Sequence, residues 1–184
     1  MKLPYVIGTI LLTTLVGVAL LLREGPPAIP VSGTSSFSSS TPTGISSLGS
    51  APETNIQRPD GSEVALSEII VRNSVINSWA AWCPFCVKEL ADFDDVAAAR
   101  QGEVDFLIVN RGESIETGSA FLEGLGLANN SMRVFYDEDQ SLYQAFGGFA
   151  MPETVFVDAE RRIRFHKRGP LTKKELEDIE DLGW

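Results

Sequence analysis

Hydrophobic and polar positions fall into three regimes along the chain. From Leu3 to Leu22 no charged residue interrupts a predominantly apolar run, and about 20 such residues at a rise of about 1.5 Å match a bilayer core of roughly 30 Å. Residues 3–22 are therefore predicted to form a transmembrane helix. Over residues 23–50 the composition falls to Ser, Thr, Pro and Gly, with Ala28, Ile29, Val31, Phe37, Ile45 and Leu48 as the apolar residues after Gly25. Such a stretch buries too little surface to offset its ordering entropy, so a flexible linker is expected. From Ala51 to Trp184 short apolar runs alternate with helically spaced ones, which predicts one globular domain.

Within 51–184, Asp60-Gly61 marks a turn, Glu63 to Leu66 alternates like a short strand, and Ser67 with Glu68 opens a brief turn. Ser74 to Trp79 is a β-branched and aromatic run, read as a central strand. From Pro84 the apolar residues Phe85, Val87, Leu90, Phe93, Val96 and Ala97 recur at helical spacing, with Asp92, Asp94 and Asp95 outward and an end near Gly102. Val104 to Asn110 is nearly continuous in apolar residues, as in a strand covered on both faces. Helices are predicted over Ser114–Leu125 and Ser141–Phe146, with a short strand at Arg133–Tyr136 between them. Thr154–Val157 and Ile163–Lys167 read as a hairpin. Leu171–Leu182 reads as a closing helix opened by a Thr172/Glu175 capping box. This order predicts an α/β domain, a mixed central sheet with helices on both faces.

Charge narrows the partners. Lys2, Arg23 and Glu24 are the only charged side chains before Ala51, so the net charge of −10 rests on the globular part. An acidic surface repels phosphate backbones, which argues against nucleic acid. The apolar segment is longer than a signal peptide's and Arg23-Glu24-Gly25-Pro26-Pro27 follows it in place of a small-residue cleavage site, which favours an uncleaved anchor over a cleaved signal. Lys2 and the amino terminus set the N-terminus inside, which puts the domain outside the cytoplasm.

Candidate chemistry concentrates at Trp82-Cys83-Pro84-Phe85-Cys86, which holds the only two cysteines, at a strand-to-helix junction. Pro84 suits the first helical position, so Cys83 stands at the cap with free amide donors near its sulfur. A thiolate there is stabilised, so Cys83 is the candidate attacking sulfur and Cys86, one turn in, the resolving one. A zinc site needs about four ligands, and His166 is the only other nitrogen or sulfur donor of the kind. Covalent haem attachment needs His after the second cysteine, where Val87 stands. A purely structural disulfide is the plainer alternative, though so small a loop stabilises little. The basic run Arg161, Arg162, Arg164, His166, Lys167 and Arg168 reads as the solvated face of a hairpin, His166 as a surface side chain, and Tyr136, Phe146 and Phe149 as core or loop packing.

The cysteine motif stands in a longer series: Ala51-Pro52, Asp60-Gly61, Leu66-Ser67, Asn77-Ser78-Trp79-Ala80-Ala81-Trp82-Cys83-Pro84-Phe85-Cys86, Glu89, Val109-Asn110 and Met151-Pro152-Glu153-Thr154. In this series the chain resembles the membrane-anchored thioredoxin-fold proteins of the TlpA/ResA/CcmG group over Ala51 to Trp184. The resemblance implies a thioredoxin-like fold and a redox-active Cys83–Cys86 disulfide. It implies that Pro152 is the family's cis-proline, facing the disulfide, and that Met151 touches a substrate peptide added as a strand. An ordinary trans proline opening an edge strand is the alternative. Glu89 matches a glutamate that tunes the site in ResA-like proteins. Read alone, it is an acid favoured by the helix dipole.

Two departures qualify the likeness. Cytoplasmic thioredoxins carry a buried aspartate at the position of Asn77, so proton handling at Cys86 falls to Glu89, water or substrate. Phe85 stands where strongly oxidising enzymes have histidine and supplies no positive charge, which favours a reductant, although Pro84 is shared with oxidases. The expectation is a membrane-tethered, extracytoplasmic thiol-disulfide oxidoreductase, monomeric and without a cofactor or metal. It would reduce disulfides in exported cysteine-containing proteins, apocytochrome c among them, with electrons from a membrane thiol donor. An oxidase or isomerase of the same fold and a non-catalytic anchored peptide-binding module are the competing readings.

Overall fold

The computed structural model describes residues 48–178. The predicted anchor over 3–22, the linker up to residue 47 and the end of the closing helix lie outside the described residues. Among those described, no helix is long and apolar enough to cross a membrane.

Seven strands form one mixed sheet: β1 Asn55–Gln57, β2 Glu63–Ala65, β3 Ser74–Trp79, β4 Asp105–Arg111, β5 Arg133–Asp137, β6 Glu153–Val157 and β7 Ile163–Arg168, in the spatial order β2-β1-β5-β4-β3-β6-β7. The central strands β3, β4 and β5 run parallel, while β6 pairs antiparallel with both β3 and β7. Helices are α1 Leu66–Ile69, α2 Pro84–Ala99, α3 Ile115–Gly124, α4 Ser141–Ala145 and α5 Lys173–Glu177. The predicted mixed α/β architecture is thus present. The three-residue β1 is an addition, with Ile56 as its one buried residue, too few positions to display a period. The expected turn at Ser67 is the short helix α1, and Leu48 and Gly49 already pair with Ile163 at the start of β7.

Strand alternation divides the core in two, because successive side chains leave opposite faces of the sheet. On one face Val75, Trp79, Phe106, Ile108 and Phe156 pack against Leu90, Phe93 and Val96 of α2 and Leu176 of α5. On the other face Ile76, Leu107, Val109, Val155 and Val157 meet Leu66 and Ile69 of α1 and Leu142 of α4. The same alternation puts Asn77 on the α2 face between Val75 and Trp79, and puts Arg111 on the opposite face in line with Leu107 and Val109. A polar residue is thereby delivered to the inside of the site helix.

Two sequence expectations fail here. Phe149 is 86% exposed and packs in no core. The basic run of β7 is not a free solvated face: Arg162 and Arg164 pair with Asp158, Lys167 with Glu175, and the His166 side chain, only 12% exposed, meets the buried Glu153 at 2.5 Å. The run looked exposed because its acidic partners are scattered along the chain.

Helix α2 is held by its apolar side, where Phe93 is fully buried edge-to-face against Phe106, with centroids 6.2 Å apart. Phe93→Ala is expected to lower the unfolding free energy by about 3–5 kcal/mol, measured by urea denaturation of the oxidised protein. A loss below about 1 kcal/mol would contradict this packing account.

Candidate active site

Strand β3 ends at Trp79, and the chain turns once, with the Cys83 amide bonded to the Ala80 carbonyl at 3.1 Å, before α2 begins. Pro84 occupies the first turn of α2 and Cys83 is its N-cap, as expected. Cys83 and Cys86 form a disulfide with Cα atoms 5.3 Å apart, and Cys83 Sγ accepts a hydrogen bond from the Cys86 amide at 3.2 Å. Both cysteines are buried, while the flanking Trp82 and Phe85 are 57% and 62% exposed. The sulfurs therefore sit in the floor of a surface whose rim is aromatic. The segment ahead of Cys83 is pinned by Glu113, whose carboxylate accepts from the Ala81 amide at 2.9 Å and from Asn110 Nδ2 at 2.7 Å.

A second segment meets this one at the start of β6. The Met151–Pro152 peptide is cis, and the partly buried Met151 packs against the cluster that contains both cysteines. Its geometry is set from three sides. Tyr143 Oη donates to the Ala150 carbonyl at 2.8 Å, the Phe149 amide donates to Glu153 Oε2 at 3.0 Å, and the Gly169 amide donates to the Pro152 carbonyl at 2.9 Å. Gly148 lets the Tyr143 ring lie on the backbone, since a Cβ there would stand 2.5 Å from ring carbons. Glu153 is buried beneath the loop, held also by His166 and by Arg168 Nε at 3.3 Å.

Glu89 lies behind the disulfide, one turn beyond Cys86. It is 3% exposed and is not a first-turn residue of α2, so the reading as a first-turn acid favoured by the helix dipole does not hold. Its Oε1 accepts from Asn77 Nδ2 at 2.8 Å and its Oε2 from the Leu171 amide at 3.0 Å. Asn77 Nδ2 also donates to Thr154 Oγ1 at 3.0 Å, across the β3–β6 register in which Asn77 faces Thr154. Burial disfavours the charged carboxylate and pushes its pKa up to about 7, against the two hydrogen bonds that favour it; Asp92 adds a smaller rise. A cleft of about 340 Å³ lined by Phe85, Lys88, Glu89, Asp92, Leu171 and Lys173 connects this carboxylate with solvent.

The structure thus brings all eight predicted site residues, Trp82, Cys83, Pro84, Phe85, Cys86, Glu89, Met151 and Pro152, to the ends of β3, α2 and β6. Sequence reasoning missed Thr154, Glu113, Glu153, Tyr143 and Arg111. The register of β3 on β6 reveals Thr154 and Glu153, the face alternation of β4 reveals Arg111, and Glu113 and Tyr143 emerge from their hydrogen bonds to Ala81 and Ala150. Among the described residues no cluster of His, Cys, Asp and Glu has metal-holding geometry.

Comparison with known proteins places this site in context. The family model described as Redoxin matches residues 48–182. The thiol-disulfide oxidoreductase ResA of Geobacillus thermodenitrificans is 24% identical over 135 residues, 73% of this chain and 76% of that protein. The thiol:disulfide interchange protein DsbE of Allochromatium vinosum is 30% identical over 123 residues, 66% of each chain. Among solved structures, Mycobacterium tuberculosis DsbF in its mixed oxidised and reduced forms superposes with a TM-score of 0.62 at 24% identity, over 71% of this chain and 95% of that one. The fold is therefore thioredoxin-like.

The position of Glu89 makes stability depend on pH with a definite sign. Its folded pKa of about 7 lies above the ordinary value of 4.5, so between these values the folded state binds the extra proton. Stability contributed by the protonated group is complete below pH 4.5 and is lost as pH rises through about 7. Wild type should lose on the order of 3 kcal/mol over this window relative to Glu89→Gln, read from urea denaturation of the oxidised proteins across the pH series. Parallel curves would show that the carboxyl ionises normally.

Proposed function

The chain belongs to the redoxin family and is a thiol-disulfide oxidoreductase, and we propose that it acts as a membrane-tethered, extracytoplasmic reductase of disulfides in exported proteins, with Cys83 attacking and Cys86 resolving. The observation that carries this reading is the Cys83–Cys86 pair at the N-cap of α2, with an amide donor already aimed at Cys83 Sγ. In the reduced protein that donor and the helix terminus favour the Cys83 thiolate.

Each turnover balances as two exchanges. Cys83 thiolate attacks one sulfur of the substrate disulfide, forming a mixed disulfide and releasing the other substrate sulfur as a thiolate, which takes a proton from solvent. Cys86 thiol then loses its proton and attacks Cys83 Sγ, closing the Cys83–Cys86 bond and releasing the second substrate thiol. Two electrons pass from protein to substrate. A carboxyl that titrates near 7, one turn from Cys86 and reached by a solvent cleft, is suited to take the Cys86 proton and return it. Glu89 assumes in this reading the work for which Asn77 has no ionisable group. Met151 and Pro152 offer backbone to the incoming peptide, with Trp82 and Phe85 as its apolar borders.

The reductive direction is supported by Phe85, which brings no cation to the thiolate. A membrane thiol donor would return the electrons, and apocytochrome c before haem attachment is the favoured substrate class. Residues 3–22 serve as the anchor and 23–50 as the linker in this proposal, and the protein works as a monomer.

Cys86→Ala is expected to accumulate a mixed disulfide with an exported protein, visible as a thiol-sensitive band shift, whereas the Cys83→Ser protein forms none. Trapping through Cys86 instead would reverse the assignment. Redox titration of the wild type should give a potential nearer the ~−270 mV of thioredoxin than the ~−120 mV of a strong oxidase, and a value at the oxidase end would overturn the reductive direction. The protein should stay with membranes through an alkaline wash and be released when residues 1–22 are deleted. Release of the intact chain would refute the anchor.

A further inference from the structure

Arg111 closes β4 on the face opposite α2, and its guanidinium carbon lies 4.0 Å from the ring centroid of Tyr143 and 5.6 Å from that of Trp82. These two rings belong to the two segments that frame the sulfurs. Trp82 directly precedes Cys83, and Tyr143 holds the Ala150 carbonyl just ahead of Met151 and Pro152. The cation is thus stacked at the rim of the redox site, half-buried.

Its pairing sets it apart from several arginines elsewhere in the domain. Arg72 and Arg133 pair with Asp105, Arg162 with Asp158, Arg168 with Glu153. Arg111 forms no ion pair with any described carboxylate, and its buried Nε has no hydrogen-bond acceptor. The carboxylate nearest in sequence, Glu113, is committed to Ala81 and Asn110. In a chain of net charge −10, an unpaired guanidinium at the active rim is the exception that calls for a partner. Ring faces attract the cation but use none of its N–H groups, so the Nη end of the fork, beyond the buried Nε, stays available to an acceptor in its own plane. A carboxylate matches that fork in charge and geometry better than any neutral group.

We propose that Arg111 is a specificity-determining residue that takes a carboxylate of the substrate, an Asp or Glu side chain within one or two residues of the substrate cysteine, as the mixed disulfide forms. This rests on the reading of Cys83 as the attacking sulfur. The acidic surface as a whole repels such a substrate, and Arg111 makes the rim a local exception. Selection then operates at the encounter with Cys83 and leaves the resolving step with Cys86 untouched.

The test uses full-length reduced protein and capped cysteine peptides blocked as mixed disulfides with mercaptoethanol, differing only in Asp, Asn or Lys beside the cysteine. At low salt the second-order rate for the Asp peptide should exceed that for the Asn peptide by about fivefold, with Lys slowest, and the preference should fade at about 1 M salt, where the screening length is about 3 Å. Arg111→Gln should bring the Asp-to-Asn ratio to about one, and Arg111→Lys should restore part of it. A wild-type ratio of one, or a ratio that Arg111→Gln leaves in place, overturns the inference. If neither the peptides nor hydroxyethyl disulfide is reduced, the Cys83 reading beneath it fails as well.

Discussion

The contact on which the site depends is the buried hydrogen bond between Asn77 and Glu89. Its two ends belong to the central strand and the site helix, and each end makes a further bond, Asn77 to Thr154 of β6 and Glu89 to the Leu171 amide ahead of α5. Four segments of the chain therefore meet at one amide–carboxyl pair. Burying a carboxylate without partners costs several kcal/mol, so every one of these donors must arrive in place for the core to close around it. The apolar packing of Trp79, Phe93 and Phe156 brings the elements together without fixing their relative slide. Directional bonds at the Asn77–Glu89 pair fix the slide, and with it the height of α2's first turn against Pro152.

That arrangement also explains how one helix serves two demands. The N-terminus of α2 favours a negative sulfur at Cys83, while the second turn holds a carboxyl that burial keeps from ionising until about pH 7. A carboxylate with an ordinary pKa would be too weak a base near neutral pH to take and hold the Cys86 proton. The placement of Glu89 nearly two turns beyond the cap separates the two groups, and Asn77 stabilises the carboxylate without competing for the proton.

Much of this was legible in the sequence because it is local. The strand from Ser74 to Trp79, the helix opened by Cys83 and Pro84, the capping box at Thr172 and Glu175 and the doubly covered β4 each follow from spacing within a few residues. Pro152 was legible only through the resemblance, since nothing in its neighbours dictates the isomer. What stayed hidden depends on the sheet's register. Thr154 reaches Asn77 because β6 pairs antiparallel with β3, a contact between positions 77 residues apart. His166 read as surface because its partner Glu153 is equally remote in pattern, a charged residue in a strand buried throughout. Glu89 was singled out by resemblance, and the structure places it buried beyond Cys86; its helix-dipole alternative failed for a reason periodicity alone would supply: it lies one position before Leu90 and four before Phe93, on the buried stripe.

Electrostatics reconcile an acidic protein with a thiolate site. The cations of the hairpin face carboxylates, Arg162 with Asp158 and Glu160, Arg164 with Asp158, Lys167 with Glu175 and Arg168 with Glu153. Glu113 is engaged by two N–H donors, which disperses its charge away from the Cys83 thiolate. Arg111 forms no ion pair with a described carboxylate at the rim, and it lies against two ring faces that attract it without neutralising it. Trp82 thereby acquires two duties from one position. It borders the sulfur as apolar surface, and it supports the cation that gives that border a sign.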